Sequence, residues 1–178
     1  MDFLAELRTH TTHLHERLDR AVSQTPIASR AGYARFLLMH ARVLPHAERW
    51  LAGEPAFASL PGDRMRTDAL MQDLDALELE APPETKVAFN DEDSVAGVAY
   101  VLEGSRLGAR YLLAELAKSD ISVPDAFLRH GEGQHCWKTF RDWLASQPAT
   151  PSAVEAAVTS ARAVFAAYLD AVRDPEGV

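Results

Sequence analysis

The stretch Ala99-Tyr100-Val101-Leu102-Glu103-Gly104-Ser105-Arg106-Leu107-Gly108-Ala109 reads as a helix, yet it carries glycine in its interior. Each such glycine costs about 1 kcal/mol relative to alanine. Gly104 and Gly108 are four residues apart, and Gly97 precedes Gly104 by one heptad. At 100° per residue the three share a narrow stripe. The missing side chains expose main chain along one line and permit bending. A flat object can then approach closely, or a second helix can pack there. The pattern alone leaves both readings open.

The same helical periodicity extends through most of the chain. Alternating Val, Ile and Thr runs and Asn-Gly hairpin turns are missing. A first helix is expected from an Asp2 N-cap to about Val22, with Phe3, Leu4, Leu7, Leu14 and Leu18 on its apolar side. A second starts near Ser29 and is expected to kink or break at Pro45. Gly53, Pro55, Pro61 and Gly62 mark a connection, and a third helix is expected from Asp63 to about Leu77. Glu78 to Asp91 reads as a loop. Glu92 or Ser94 opens the long helix, which should end near Lys118, and Asp120 to Gly133 is turn-rich. Two more helices are expected, from about Gln134 to Ser146 and from Pro151 to about Arg173. The pattern predicts an all-α, single-domain bundle of about six to eight helices over residues 1–178.

Composition narrows the function classes. The chain has 178 residues, of which 47% are hydrophobic and 25% charged, enough for a real core. Its net charge of −8 argues against a dedicated nucleic-acid binder. One cysteine, Cys136, excludes an internal disulfide framework and a Cys-rich zinc site. No apolar run approaches the ~20 residues of a membrane span. The opening MDFLAELR lacks signal-peptide features. A cytoplasmic protein without membrane or nucleic-acid partners is expected.

Three of the seven histidines lie at His10, His13 and His15. On the first helix His13 points away from the apolar stripe, whereas His10 and His15 lie at its margins. His15 has Asp19 one turn later, at the spacing that brings side chains together. A carboxylate on one imidazole nitrogen orients the ring and leaves the other free to ligate a metal. His15 is therefore the better ligand candidate, against the plainer reading of a boundary histidine in a helix ion pair.

These residues resemble one family. The pattern Leu-Arg-x-x-Thr-x-x-x-His-x-x-x-Asp, from Leu7 to Asp19, resembles the proximal helix of heme oxygenases, and Tyr100 to Gly108 looks like their distal helix. The bacterial members, including those associated with bacteriophytochromes, are the most similar. The resemblance implies that His15 is the axial ligand of the heme iron and that Asp19 lies near its other nitrogen. It implies that the backbone at Gly104 and Gly108 closes over the oxygen side of the heme. Arg8 falls where a basic side chain meets a heme propionate, and Tyr100 lies near a propionate-binding position. Lys138 and Arg141 are candidates for further basic partners. Ser105 stands where animal members have a distal aspartate, and Ala109 stands where many members have another glycine. The implied reaction uses heme as substrate and oxygen-activating centre, with O2 and an external electron donor such as ferredoxin or a flavoprotein reductase. Its products would be biliverdin, carbon monoxide and ferrous iron, with a bilin-accepting photoreceptor as a further partner.

Two rival readings follow from the same residues. A non-catalytic heme carrier or sensor also needs His15 and an apolar slot. A non-heme diiron protein would use Glu132-x-x-His135, although such sites need a second copy of the motif and more carboxylates. His40 and His46 read as structural or exposed, Cys136 as a buried thiol, and Asp63, Asp73 and Asp75 as a solvated helix face. Trp50, Trp137 and Trp143 read as core or interface anchors in a purely structural alternative.

Overall fold

The computed structural model describes residues 2–90 and 94–173. The described residues form eight helices and no strand. They are α1 (Phe3–Val22), α2 (Arg30–Gly53), α3 (Pro55–Ala58), α4 (Thr67–Ala76), α5 (Val95–Ala117), α6 (Ala126–Arg129), α7 (Cys136–Ser146) and α8 (Pro151–Arg173). The expected N-caps form: Asp2 Oδ1 accepts the Ala5 N–H at 3.1 Å, and Ser29 Oγ accepts the Gly32 N–H at 3.0 Å. Thr150 Oγ1 accepts the Ala153 N–H at 3.2 Å, with Pro151 at the first helical position. No helix among the described residues is long and apolar enough to cross a membrane.

The core forms around α8, which packs against α1, α2 and α5. Ala157, Ala161 and Val164 on α8 are fully buried, as are Leu7 on α1 and Val98 and Ala99 on α5. The Arg162 guanidinium reaches the His10 carbonyl, and the Phe165 ring meets His15 further along. These contacts follow the same order on both helices, so α1 and α8 run parallel. Ser94 on Ser160 and Gly97 on Ala157 run in opposite orders, so α5 is antiparallel to α8.

Several boundaries differ from the sequence expectations. The second helix neither breaks nor ends at Pro45; α2 continues through it. Leu44, Ala47 and Leu51 are buried around it, and this packing offsets the missing N–H. The third helix starts at Thr67 rather than Asp63, because Arg64 and Arg66 turn inward and are buried. The connection after Gly53 contains α3, and the turn-rich stretch after Asp120 contains α6. The seventh helix starts at Cys136, since Gly131, Gly133 and His135 hold φ of 78°, 82° and 51°. Such angles cannot continue a right-handed helix. Glu92, one of two expected starts for the long helix, lies outside the described residues, and Ser94 occupies the N-cap of α5. Residues 79–90 form no helix or strand and lie along α2. His46 Nε2 bonds the Val87 carbonyl at 2.8 Å, and Phe89 stacks on Trp50.

Two buried carboxylates cap helices to which they do not belong. Glu48 on α2 accepts the N–H groups of Arg66 and Thr67 at the start of α4, and the Thr67 hydroxyl. Asp73 accepts the N–H groups of Ala126 and Phe127 at the start of α6. Asp73 is therefore fully buried, not part of a solvated face, and burial raises its pKa above the ordinary range. Asp63 is exposed as expected, but it stands outside a helix, 3.6 Å from His130.

Removing the Glu48 cap strands buried donors, at about 1–3 kcal/mol for each unsatisfied group. Glu48→Ala is expected to lower unfolding free energy by about 2–4 kcal/mol in urea melts with helix content retained. A loss below 0.5 kcal/mol would contradict this capping role.

Candidate functional site

The glycine stripe divides into two environments. A Cβ on Gly97 would lie 2.0 Å from the Ala157 carbonyl oxygen, so Gly97 serves close packing of α5 on α8. A Cβ on Gly108 would meet nothing within 4 Å, and one on Gly104 would meet only Trp137 Cζ3, at 3.8 Å. The packing reading therefore holds for Gly97 and not for the other two. Tyr100, Gly104, Leu107, Gly108 and Tyr111 recur at the spacing of one helical face. Leu107 and Tyr111 are the large hydrophobics left exposed among the described residues, at 55% and 67%. This face of α5 is apolar, bare at its centre and uncovered.

On α1 the His15 Nδ1 lies 3.3 Å from Asp19 Oδ2, which leaves Nε2 for another partner. The side chain is 61% exposed. Phe165 sets its ring edge-on to the imidazole, with centroids 6.2 Å apart. His10 pairs instead with Glu6 at 3.5 Å, and His13 is exposed. The helices α1 and α5 are joined one turn before His15: Thr11 Oγ1 donates to the Leu7 carbonyl and lies 3.4 Å from the Tyr100 hydroxyl. Tyr100 also contacts Trp137, so α1, α5 and α7 meet at this tyrosine.

The basic candidates lie outside the core. Arg8 and Arg141 are exposed and make no ion pair among the described residues. Lys138 is exposed and bonds Asp142 at 2.7 Å. Glu132 and His135 are exposed between α6 and α7, and no group of three His, Cys, Asp or Glu side chains among the described residues can hold a metal ion. The diiron reading therefore has no donor set among them. Cys136 is buried.

Beside the bare face, α5 turns a polar side inward. The Ser105 hydroxyl donates to the Leu102 carbonyl at 2.7 Å and accepts from Arg66 Nη2 at 2.9 Å. Arg66 is buried and lies over the Phe127 ring at 5.2 Å. His40 Nδ1 and the Tyr168 hydroxyl are 3.1 Å apart. Burial, reinforced by Arg66, holds the His40 imidazole well below its ordinary pKa, so it is neutral. Arg66, Ser105 and His40 line a cavity of about 260 Å³ with Leu107 and Trp137. Glu103, one residue before Gly104, is buried between Arg64 Nη1 and Arg106 Nε, each 2.9 Å from its Oε2. The Arg64 pair clamps α5 to the segment before α4, and Arg106, itself on α5, donates to the carbonyls of Arg64 and of His130, before α7.

Sequence reading missed Arg66, Glu103, Arg64 and Arg106, and it took His40 as structural or exposed. Only packing of α2, α4 and α5 brings them together. One local signal existed: His40 continues the buried run of Tyr33, Leu37 and Leu44 at helical spacing.

A family model described as heme oxygenase matches residues 1–174. No curated protein matches the chain. Among solved structures the chain is similar to the heme oxygenase of Neisseria meningitidis, determined with NO and CO bound. The two are 26% identical, with a TM-score of 0.82, and the match covers 100% of this chain and 94% of that one.

The two kinds of glycine should respond oppositely to alanine. Gly97→Ala is expected to lose about 1–3 kcal/mol or more by overpacking, and Gly108→Ala to gain roughly 0.5–1 kcal/mol in the ligand-free protein. Equal effects in urea melts would contradict the division. His40 stays neutral when folded but takes a proton when unfolded. Its contribution is therefore present above pH about 6.5 and is lost on acidification, at about 1.4 kcal/mol per pH unit. His40→Gln should flatten the fall in stability between pH 6.5 and 5.5, and an unchanged slope would contradict burial of a neutral ring.

Proposed function

The chain belongs to the heme oxygenase family, and on that premise we propose that it cleaves heme with O2 and external electrons to biliverdin, carbon monoxide and ferrous iron. It is a heme-degrading enzyme by family and fold. The observation that carries the finer reading is the uncovered face of α5, with large apolar groups at Tyr100, Leu107 and Tyr111 around bare backbone at Gly104 and Gly108. A flat apolar plate covers such a face and removes Leu107 and Tyr111 from water, at about 25 cal/mol per Å².

The residues fit a heme. His15 would hold the iron through Nε2, with Asp19 on Nδ1 to orient the ring. Arg8, Lys138 and Arg141 are cations for the propionate edge, and Tyr100 supplies a hydroxyl near the same helices. When bound, the heme supplies its own oxygen-activating chemistry. The chain's part is orientation, exclusion of water and handling of protons. Bare backbone at Gly104 and Gly108 would leave room beside the ring and would steer its oxygen chemistry toward a meso carbon. Ser105 has no acidic proton to give, and its own is engaged by the Leu102 carbonyl. Arg66 and His40 therefore organise water in the adjoining cavity for proton delivery, with Arg66 as the permanent positive charge. The electron donor is a ferredoxin or a flavoprotein reductase, and the bilin product is suited to a photoreceptor acceptor.

Two substitutions test the reading. His15→Ala is expected to lose imidazole ligation in the ferrous carbonyl spectrum and to abolish turnover with hemin and a reducing system. Gly104→Leu is expected to retain heme but form no bilin. An unchanged imidazole-ligated spectrum in the first, or wild-type bilin formation in the second, would overturn the assignment. Stoichiometric heme binding by the wild type without bilin formation would favour a carrier.

A further inference from the structure

Helix α7 carries a chain of aromatic rings that the cleavage reaction does not require. Tyr100 lies 6.2 Å from Trp137, Trp137 stacks on Phe140 at 5.5 Å, and Phe140 lies 6.0 Å from Trp143, centroid to centroid. One end belongs to the bare face of α5: Tyr100 is part of it, and Trp137 is the neighbour that a Cβ on Gly104 would touch. The other end reaches the surface. Trp143 is half-buried, and its Nε1–H donates to the exposed Ser59 hydroxyl at 2.8 Å. Between them Phe140 is fully buried, so the link is dry. The remaining aromatic clusters differ. Phe36, His40 and Phe127 line the cavity, with Tyr168 against His40, and His46, Phe89 and Trp50 fasten the segment before α5.

We propose that Tyr100, Trp137, Phe140 and Trp143 form an electron-transfer path joining the uncovered face of α5 to solvent beside Ser59. Electron tunnelling falls off exponentially with distance, so rings in near contact conduct where isolated rings do not. Indole and phenol are the oxidisable side chains here, and Phe140 serves as the bridge between two indoles. The purpose rests on the proposed function. Oxygen chemistry that goes astray leaves hydrogen peroxide, a two-electron oxidant, at that face. In two successive passes Trp137 gives it one electron and is refilled by Trp143 across Phe140, and with two protons from water the O–O bond breaks to give two water molecules. On each pass Trp143 releases its indole proton to water past Ser59. On each pass a soluble reductant of the thiol or ascorbate class returns one electron, water returns the proton, and the site is spared.

The path can be tested without heme. Azidyl radicals made by pulse radiolysis take one electron from an accessible indole and become azide. An electron from Tyr100 then refills that indole through the path, while the phenolic proton leaves to solvent, so indolyl radical converts to phenoxyl radical. The expected conversion is independent of protein concentration in the wild type and in Trp50→Phe. It should slow at least ten-fold in Trp137→Phe and disappear in Tyr100→Phe. The second variant removes one hydroxyl and decides the matter if the first does not fold. Absence of intramolecular conversion in the wild type, or wild-type conversion in Tyr100→Phe or in folded Trp137→Phe, would overturn the proposal. Such a failure would leave the heme assignment untouched, and failure to bind hemin would leave the path standing without its purpose.

Discussion

A helix that leaves an apolar face open to water must be fixed by its other faces, and α5 is held in this way at its start and in its middle. At its start, Gly97 lets the helix meet the main chain of α8 closer than any side chain would allow. In its middle, buried Glu103 is gripped by Arg64 and Arg106, and Arg66 holds the Leu102 carbonyl and Ser105. Buried ion pairs contribute little net stability against well-packed apolar groups. What they contribute is position: α5 cannot rotate to hide Leu107 and Tyr111 without leaving charges unpaired. The bare stripe at Gly104 and Gly108 persists because the clamp stands beside it.

That arrangement gives one helix two chemical sides. The outer side is smooth and apolar, suited to a planar ligand. The inner side carries Ser105, which meets Arg66 beside the neutral His40 and Tyr168, a group suited to ordering water. His15, on α1, is oriented by Asp19 and reachable from solvent. The link between Thr11 and Tyr100 ties the helix of His15 to the helix of the bare face. Under the proposed function, a bound heme would touch α1 and α5 with this buried cluster beside it.

Much of this was legible in the residues themselves. Asp2, Ser29 and Pro151 announced three helix starts through local chemistry, and the apolar periodicity announced an all-helical bundle. The pairing of His15 with Asp19 is an i,i+4 relation and needs no tertiary information. Other features depended on distant partners. The continuity of α2 through Pro45 follows from burial on all sides, which local propensity does not register. The start of α4 is displaced by a cap from Glu48, on a different helix. Asp73 reads as a surface residue until α6 brings its N–H groups to it. Gly97 and Gly108 are equivalent on a helical wheel, and only the position of α8 separates a packing glycine from an open one.

The most direct measurement is a crystal structure of the wild-type protein with hemin. Iron is expected on His15 Nε2, with the porphyrin plane covering the backbone at Gly104 and Gly108. Iron held by any other side chain, or a porphyrin seated away from the α5 face, would contradict this.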